Sequence, residues 1–207
     1  EEMYCNAMAF ENSMKYFMSR FSYHSLYCSM NELSNHDHSR FLTRTNKTVG
    51  RHHSHGKALA DQGLNLGIMM EAVTFQMTWP GSPTIYYGDE VGLTGWTDPD
   101  NRRTFPWGKE NKTLLEFHKK LISLRKKIDA IKKGSVEFLF STYGVISYGR
   151  WYNDEQIVVI LNNNNCDKTV DISVWKIHVE KNCDLYKIAA TDSIYFYFTG
   201  EKVKVNN

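Results

Sequence analysis

Asn35-His36-Asp37 ends a short run, Met30 to Ser34, and places an amide, an imidazole and a carboxylate side by side, with a second imidazole at His38. A brief strand-like run that stops at such groups is how a barrel strand delivers chemistry to its C-terminal rim. A second stretch repeats the pattern. Thr84-Ile85-Tyr86-Tyr87 follows the turn Gly81-Ser82-Pro83 and stops at Gly88-Asp89-Glu90. Asn-His-Asp alone has little specificity, because three polar residues also make an ordinary turn. The two stretches about one helix length apart, followed by Asp98-Pro99-Asp100-Asn101-Arg102-Arg103 and Trp107, are far more specific.

The elements that must position these groups follow from periodicity. Met8, Met14, Phe17, Met18 and Phe21 recur at helical spacing, which predicts a helix over 7–24 with these residues as core. Leu26 to Leu33 then reads as the strand entering the Asn-His-Asp turn. Thr43 to His55 is polar and reads as an excursion. Its His52, His53 and His55 would need to converge with another ligand to hold a metal, and an exposed loop is the default. A helix is expected over 57–78, stopped by Trp79-Pro80-Gly81, with a strand at Thr84–Tyr87. Gly92 to Gly108 is a loop long enough to build a site. Asn111 to Lys133 carries the clearest apolar stripe, and Gly134 stands at the C-cap position.

Past Gly134 the period changes. Val136–Phe140, Val145–Tyr152, Gln156–Leu161, Thr169–Trp175, Leu185–Ile188, Ile194–Phe198 and Lys202–Val205 are strand candidates separated by Asn, Asp and Gly. Such spacing predicts an antiparallel sandwich, with Ile157, Val159 and Leu161 or their alternates facing inward.

The chain has 207 residues and a net charge of +2, so neither nucleic acid nor a membrane surface is an expected partner. The basic run from Lys119 to Lys133 reads as the solvated face of a helix. Cys5, Cys28, Cys166 and Cys183 lack CxxC spacing and read as free, mostly buried thiols, with Cys166–Cys183 the only bridge to look for. The start, Glu1-Glu2-Met3, carries no signal-peptide pattern, which slightly favours the cytoplasm; it also lacks an initiator Met and fits a fragment.

The segments Asn35-His36-Asp37 with Arg40-Phe41-Leu42-Thr43, Trp79-Pro80-Gly81-Ser82-Pro83-Thr84 through Glu90, and Asp98-Pro99-Asp100-Asn101-Arg102 to Trp107 resemble the α-amylase family of glycoside hydrolases, especially its neopullulanase, cyclomaltodextrinase and α-glucosidase-like branches. The resemblance implies an α/β plus all-β fold. Residues 1–133 would be the last two to three βα units of a (β/α)8 barrel, and 134–207 an antiparallel β-sandwich. The strand before Asn35 would be the seventh of the barrel and Thr84–Tyr87 the eighth, with Met3–Cys5 a remnant of the sixth. A complete barrel takes about 250 residues.

For chemistry, the resemblance implies retaining hydrolysis of α-1,4 or α-1,6 glucosidic bonds in α-glucans and maltooligosaccharides, with no cofactor and room for a structural calcium ion. Retention needs a carboxylate nucleophile and a carboxylic acid. The family's Gly-x-Arg-x-Asp nucleophile segment and its acid segment are both missing here. Asp37 matches the third acid, which grips two sugar hydroxyls at the −1 subsite and stabilises the cationic transition state. His36 matches a hydroxyl-binding imidazole and Arg102 the arginine that closes the subsite. Neighbours on a strand point opposite ways, so His36 and Asp37 can serve one sugar only if the strand has already ended. Asp89 and Glu90 are expected to support the rim. Trp96 reads equally as a sugar platform or a hydrophobic plug. His38 departs from the residue usual there. The isolated chain is expected to be inactive, and the other reading is a non-catalytic carbohydrate-binding remnant. An apolar surface around Ile85, Tyr87 and Met77 is expected to be covered by the missing barrel half or by self-association.

Overall fold

The computed structural model of the chain describes residues 6–50, 52–192 and 195–206, the side chains of His52 and Asp192 excepted. The order is α1 Ala7–Met18, α2 Tyr23–Cys28, β1 Met30–Glu32, α3 Phe41–Arg44, α4 His52–Leu59, α5 Leu66–Thr78, β2 Ser82–Thr84, α6 Lys112–Lys127, α7 Asp129–Lys133, then β3 Ser135–Thr142, β4 Val145–Tyr152, β5 Glu155–Asn162, β6 Asp184–Asp192 and β7 Tyr195–Lys204. The expected remnant at Met3–Cys5 lies outside the described residues.

The long helices foreseen from periodicity are divided, and the dividers are caps. Ser22 accepts a hydrogen bond from the backbone N–H of Ser25, so the helix expected over 7–24 restarts as α2 and takes Leu26 to Cys28 out of the expected strand. Asp61-Gln62-Gly63 interrupts the helix expected over 57–78, and Asn65 caps α5 by accepting from Ile68 N at 3.0 Å. Asn111 caps α6 in the same way, at 3.0 Å from Leu114 N. Apolar periodicity survives such breaks, because both pieces keep the same face to the core.

β1 and β2 pair in parallel, Met30 with Ser82 and Glu32 with Thr84. β2 is earlier and shorter than expected; Ile85 to Tyr87 lie beyond it. Gln76 of α5 donates to Asn31 O and Thr84 O, both at 2.9 Å, and so fastens the helix to both strands. Behind them Leu42, Met69, Met70, Val73 and Met77 pack with Leu114, Phe117 and Leu121 of α6. Met77 is 2% exposed, so it does not belong to the open apolar surface expected for it. Tyr87 does remain exposed. An open apolar groove lies elsewhere, between α1, α2, β1 and α5, lined by Phe10, Met14, Phe17, Leu26, Phe41 and Phe75 among others.

Among the described residues after 134 there are five strands in place of the seven expected. β3-β4-β5 form an antiparallel sheet and β6-β7 a second. Thr169–Trp175 is irregular and runs into a 3-10 turn at Val174–Ile177, and the last two candidates are one strand. Ile194 lies outside the described residues. Ile157, Val159 and Leu161 face the helical part with Trp79, Phe138, Ile146 and Tyr148, while Val158 faces the second sheet with Leu139, Ile177 and Leu185. Both faces of β5 are therefore in use. Gly134 does cap α7, but in an extended conformation; a Cβ there would run into the carbonyls of Ala130 and Trp151. Cys28, Cys166 and Cys183 are free thiols, the first two exposed rather than buried. No helix among the described residues is long and apolar enough to cross a membrane.

Candidate functional site

β1 ends at Glu32, and Asn35 then reverses the chain. Its Oδ1 accepts from the N–H groups of Asp37 at 2.9 Å and His38 at 3.1 Å, while its Nδ2 donates to Glu32 at 2.7 Å. An Asx-type turn of this kind releases the next residues from strand alternation. His36 and Asp37 consequently stand together, with Nε2 3.5 Å from Oδ1 and both side chains about two-thirds exposed, at 64% and 67%. The condition for serving one ligand is met by Asn35, whose role as turn former the sequence reading passed over.

Arg102 stands on a 3-10 turn, Asp100–Arg102, and its Nε pairs with Asp98 at 2.6 Å. It does not pair with Asp37. The two segments meet through its neighbour: the Nδ2 of buried Asn101 donates to Asn35 O at 3.2 Å and His38 O at 2.8 Å. The segments that carry the candidate residues are thus tied to each other through the Asn101 side chain.

Beneath those ties lies Arg40, fully buried. Its Nε donates to Asn101 O at 2.9 Å, and one terminal nitrogen donates to Tyr87 O at 2.6 Å and Asp89 Oδ1 at 3.0 Å. Its Cζ lies 4.0 Å from the Tyr86 ring centroid and 4.8 Å from that of Tyr87. Its own N–H donates to Gly95 O at 2.9 Å. Burial pushes the Asp89 carboxyl up, while hydrogen bonds from Ser34 and Arg40 pull it down. Asp89 is committed to Arg40, in keeping with the supporting role expected of it. Gly95 has φ of 158°, and a Cβ there would strike the Asp100 carbonyl, so only glycine permits this approach.

A second arginine braces the other side. Arg103 pairs with Asp61 at 2.7 Å and Asp100 at 2.8 Å, and donates to Thr94 at 2.9 Å. Trp96 is buried, with its indole N–H donating to Gly56 O at 3.0 Å, so it is a plug and no sugar platform in this structure. His55 lies edge-on to it at 5.9 Å. Among the described residues no group of three or more His, Cys, Asp or Glu side chains converges to hold a metal ion.

A short parallel pair of strands whose C-terminal ends carry a His-Asp turn, backed by helices and followed by antiparallel sheets, is the class of arrangement found in barrel glycoside hydrolases with a C-terminal β domain. The description "Alpha amylase, catalytic domain" matches residues 2–107. An amylopullulanase of Thermoanaerobacterium thermosulfurigenes is 36% identical over 171 residues, which is 76% of this chain and 9% of that protein. A cyclomaltodextrinase of Thermoanaerobacter pseudethanolicus is 36% identical over 160 residues, 76% of this chain and 24% of that protein. The solved α-amylase of Geobacillus thermoleovorans, complexed with acarbose, superposes with a TM-score of 0.72 at 24% identity, over 95% of this chain and 38% of its own, and shows the shared fold. The chain belongs to the α-amylase family, and it spans at most about a quarter of these two sequence relatives.

Proposed function

We propose that this chain is the C-terminal part of a retaining glycoside hydrolase acting on α-1,4-linked, and on the wider reading α-1,6-linked, α-glucans. Residues 1–133 supply the last two to three βα units of the barrel and 134–207 its β-sandwich. Asp37 grips sugar hydroxyls at the −1 subsite and stabilises the cationic transition state. His36 binds the same sugar, and Arg102 closes the subsite once it exchanges Asp98 for substrate. The nucleophile and the general acid come from barrel segments outside this chain, which on its own does not hydrolyse glucan. The single observation that carries this reading is the Asn35 turn. It follows β1 closely enough for an imidazole and a carboxylate to stand together, exposed, beyond the end of the strand.

The test is Asp37→Asn in the enzyme expressed with its preceding barrel segment. Turnover of maltooligosaccharides should fall about 10²–10³-fold or more with the melting temperature unchanged. Wild-type turnover in that variant removes Asp37 from the mechanism. A non-catalytic glucan-binding remnant is the competing reading. It is supported instead if the longer protein binds maltooligosaccharides and releases no product.

A further inference from the structure

We infer that Arg40, with Asn101, is the positioning device of the candidate subsite, holding the His36–Asp37 turn and the Arg102 turn at a fixed separation. The inference rests on the proposed function of those turns. Three segments that make no regular structure with one another converge here: the turn after β1, the segment after β2, and the loop that carries Arg102. Arg40 bonds to each of them, through Gly95 O and Asn101 O in the loop, through Tyr87 O and Asp89 after β2, and by its own place in the chain after β1. Asn101 completes the frame by donating to Asn35 O and His38 O, one on each side of the His36–Asp37 pair. Both side chains are 0% exposed, so neither touches a ligand directly.

The chemistry of the frame suits positioning. A guanidinium is planar and presents its donors in a rigid fork, so it sets directions as well as distances; a lysine ammonium would keep the charge and lose the fork. Stability alone would not favour this choice. Among the described residues the second terminal nitrogen of Arg40 and the Oδ1 of Asn101 are buried without a hydrogen-bond partner, which is costly inside a fold. Subsite groups that are 1 Å out of place lose a large part of their effect on rate, so a frame of this kind acts on turnover more than on ground-state binding.

The experiment uses Arg40→Lys and Asn101→Ala in the enzyme expressed with its preceding barrel segment, assayed well below each variant's melting temperature. Both variants should lower kcat and kcat/KM together by at least about tenfold, with KM within about twofold. The double variant should lose less than the product of the two single losses, because both act on one frame. Wild-type kcat in Asn101→Ala, or a loss in both variants that follows only the folded fraction, overturns the inference. Failure of the underlying reading has a different signature: the unmutated enzyme releases no sugar from glucan, or Asp37→Asn turns over like wild type.

Discussion

Two arginines are fully buried among the described residues, and they are held in opposite ways. Arg40 faces a carboxylate and two tyrosine rings under the rim. Arg150, in the middle of β4, donates to Ser135 O at 3.1 Å, to Gly134 O at 2.6 Å and to Thr78 O, and makes no ion pair among the described residues. Thr78 is the last residue of α5 and Gly134 caps α7. Helix C-termini carry partial negative charge, so unpaired carbonyls there can stand in for a carboxylate. Arg125 uses the same helix end, donating to Met77 O at 2.8 Å and Gly81 O at 2.6 Å. Burial and the nearby Arg150 charge push its guanidinium down to about 10, and burial lowers Arg150 as well. The contrast separates two uses of one residue type. A guanidinium bonded to irregular loops fixes how those loops stand to one another. One bonded to helix ends joins a helical layer to a sheet, and has no route to a ligand.

The largest expected effect tests the second use. Arg150→Met should destabilise the chain by on the order of 4 kcal/mol, since it removes three hydrogen bonds to main-chain carbonyls, of which Gly134 O keeps a donor in the Tyr27 hydroxyl, and removes a side chain packed on all sides. In the longer enzyme, the molecules that remain folded should turn over at the wild-type rate. Urea melts followed by tryptophan fluorescence, paired with kcat per folded molecule, measure both. A kcat loss in Arg150→Met as large as that in Arg40→Lys would erase the distinction between the two arginines.

The two regions also differ in how far the sequence reveals them. The rim is legible because its groups are consecutive: Asn35, His36 and Asp37 fall in one turn, and Arg102 lies in a loop too rich in Gly, Pro and Asp to be anything but a loop. What holds them is not legible. Arg40 and Asp89 are 49 residues apart, and nothing local distinguishes a buried arginine from an exposed one. The junction is harder still, for Arg150 sits in a strand whose pattern gives only alternation, and its partners are main-chain atoms that carry no sequence signal. The helix breaks at Ser22 and Gly63 were written in the chain as cap and turn residues. The apolar stripes on either side outweighed them in a periodicity argument. The β-rich tail was readable as such, but its strand count was not. Thr169–Trp175 alternates like a strand, yet Ile172 packs against Ile177 from irregular backbone and Val174 from the 3-10 turn.

A half-buried charge, Glu71, has neither an ion-pair partner nor helix ends to hold it, among the described residues. Glu71 of α5 lines the apolar groove with Ile68 and Phe75, has no ion-pair or hydrogen-bond partner among the described residues, and is pushed by burial from 4.5 to about 7. The folded form therefore holds this proton more tightly than the unfolded form does. The contribution of Glu71 to stability should be fullest below about pH 4.5, fall as pH rises toward about 7, and level off above it, by up to roughly 3 kcal/mol. Glu71→Gln should remove that slope in the isolated chain. Melts across the window decide it; an unchanged slope in the variant means that the groove does not hold the carboxyl out of water. In the longer enzyme, a covering segment that places a cation beside Glu71 would lower its pKa and weaken the slope. The same comparison thus reports whether the groove is closed there.

The smallest effect concerns how the junction divides its work between charge and shape. Tyr148 is fully buried, with its ring 5.0 Å from Trp79 and 5.5 Å from Phe75, and its hydroxyl is 2.5 Å from the hydroxyl of Thr78. The direction of that bond follows by counting hydrogens. Thr78 has one hydroxyl hydrogen and gives it to Thr74 O at 2.6 Å, so Tyr148 is the donor and Thr78 the acceptor. Tyr148→Phe then removes one donor, leaves the Thr78 hydroxyl hydrogen satisfied, and preserves every ring contact. The cost should be about 1 kcal/mol, the net worth of an ordinary buried hydrogen bond. Thr78→Val should cost more, because it strands the Tyr148 hydroxyl as a buried donor without an acceptor. If Tyr148→Phe costs as much as Arg150→Met, the junction is held by a hydroxyl chain rather than by a guanidinium on helix ends, and the contrast drawn between the two arginines would rest on Arg40 alone.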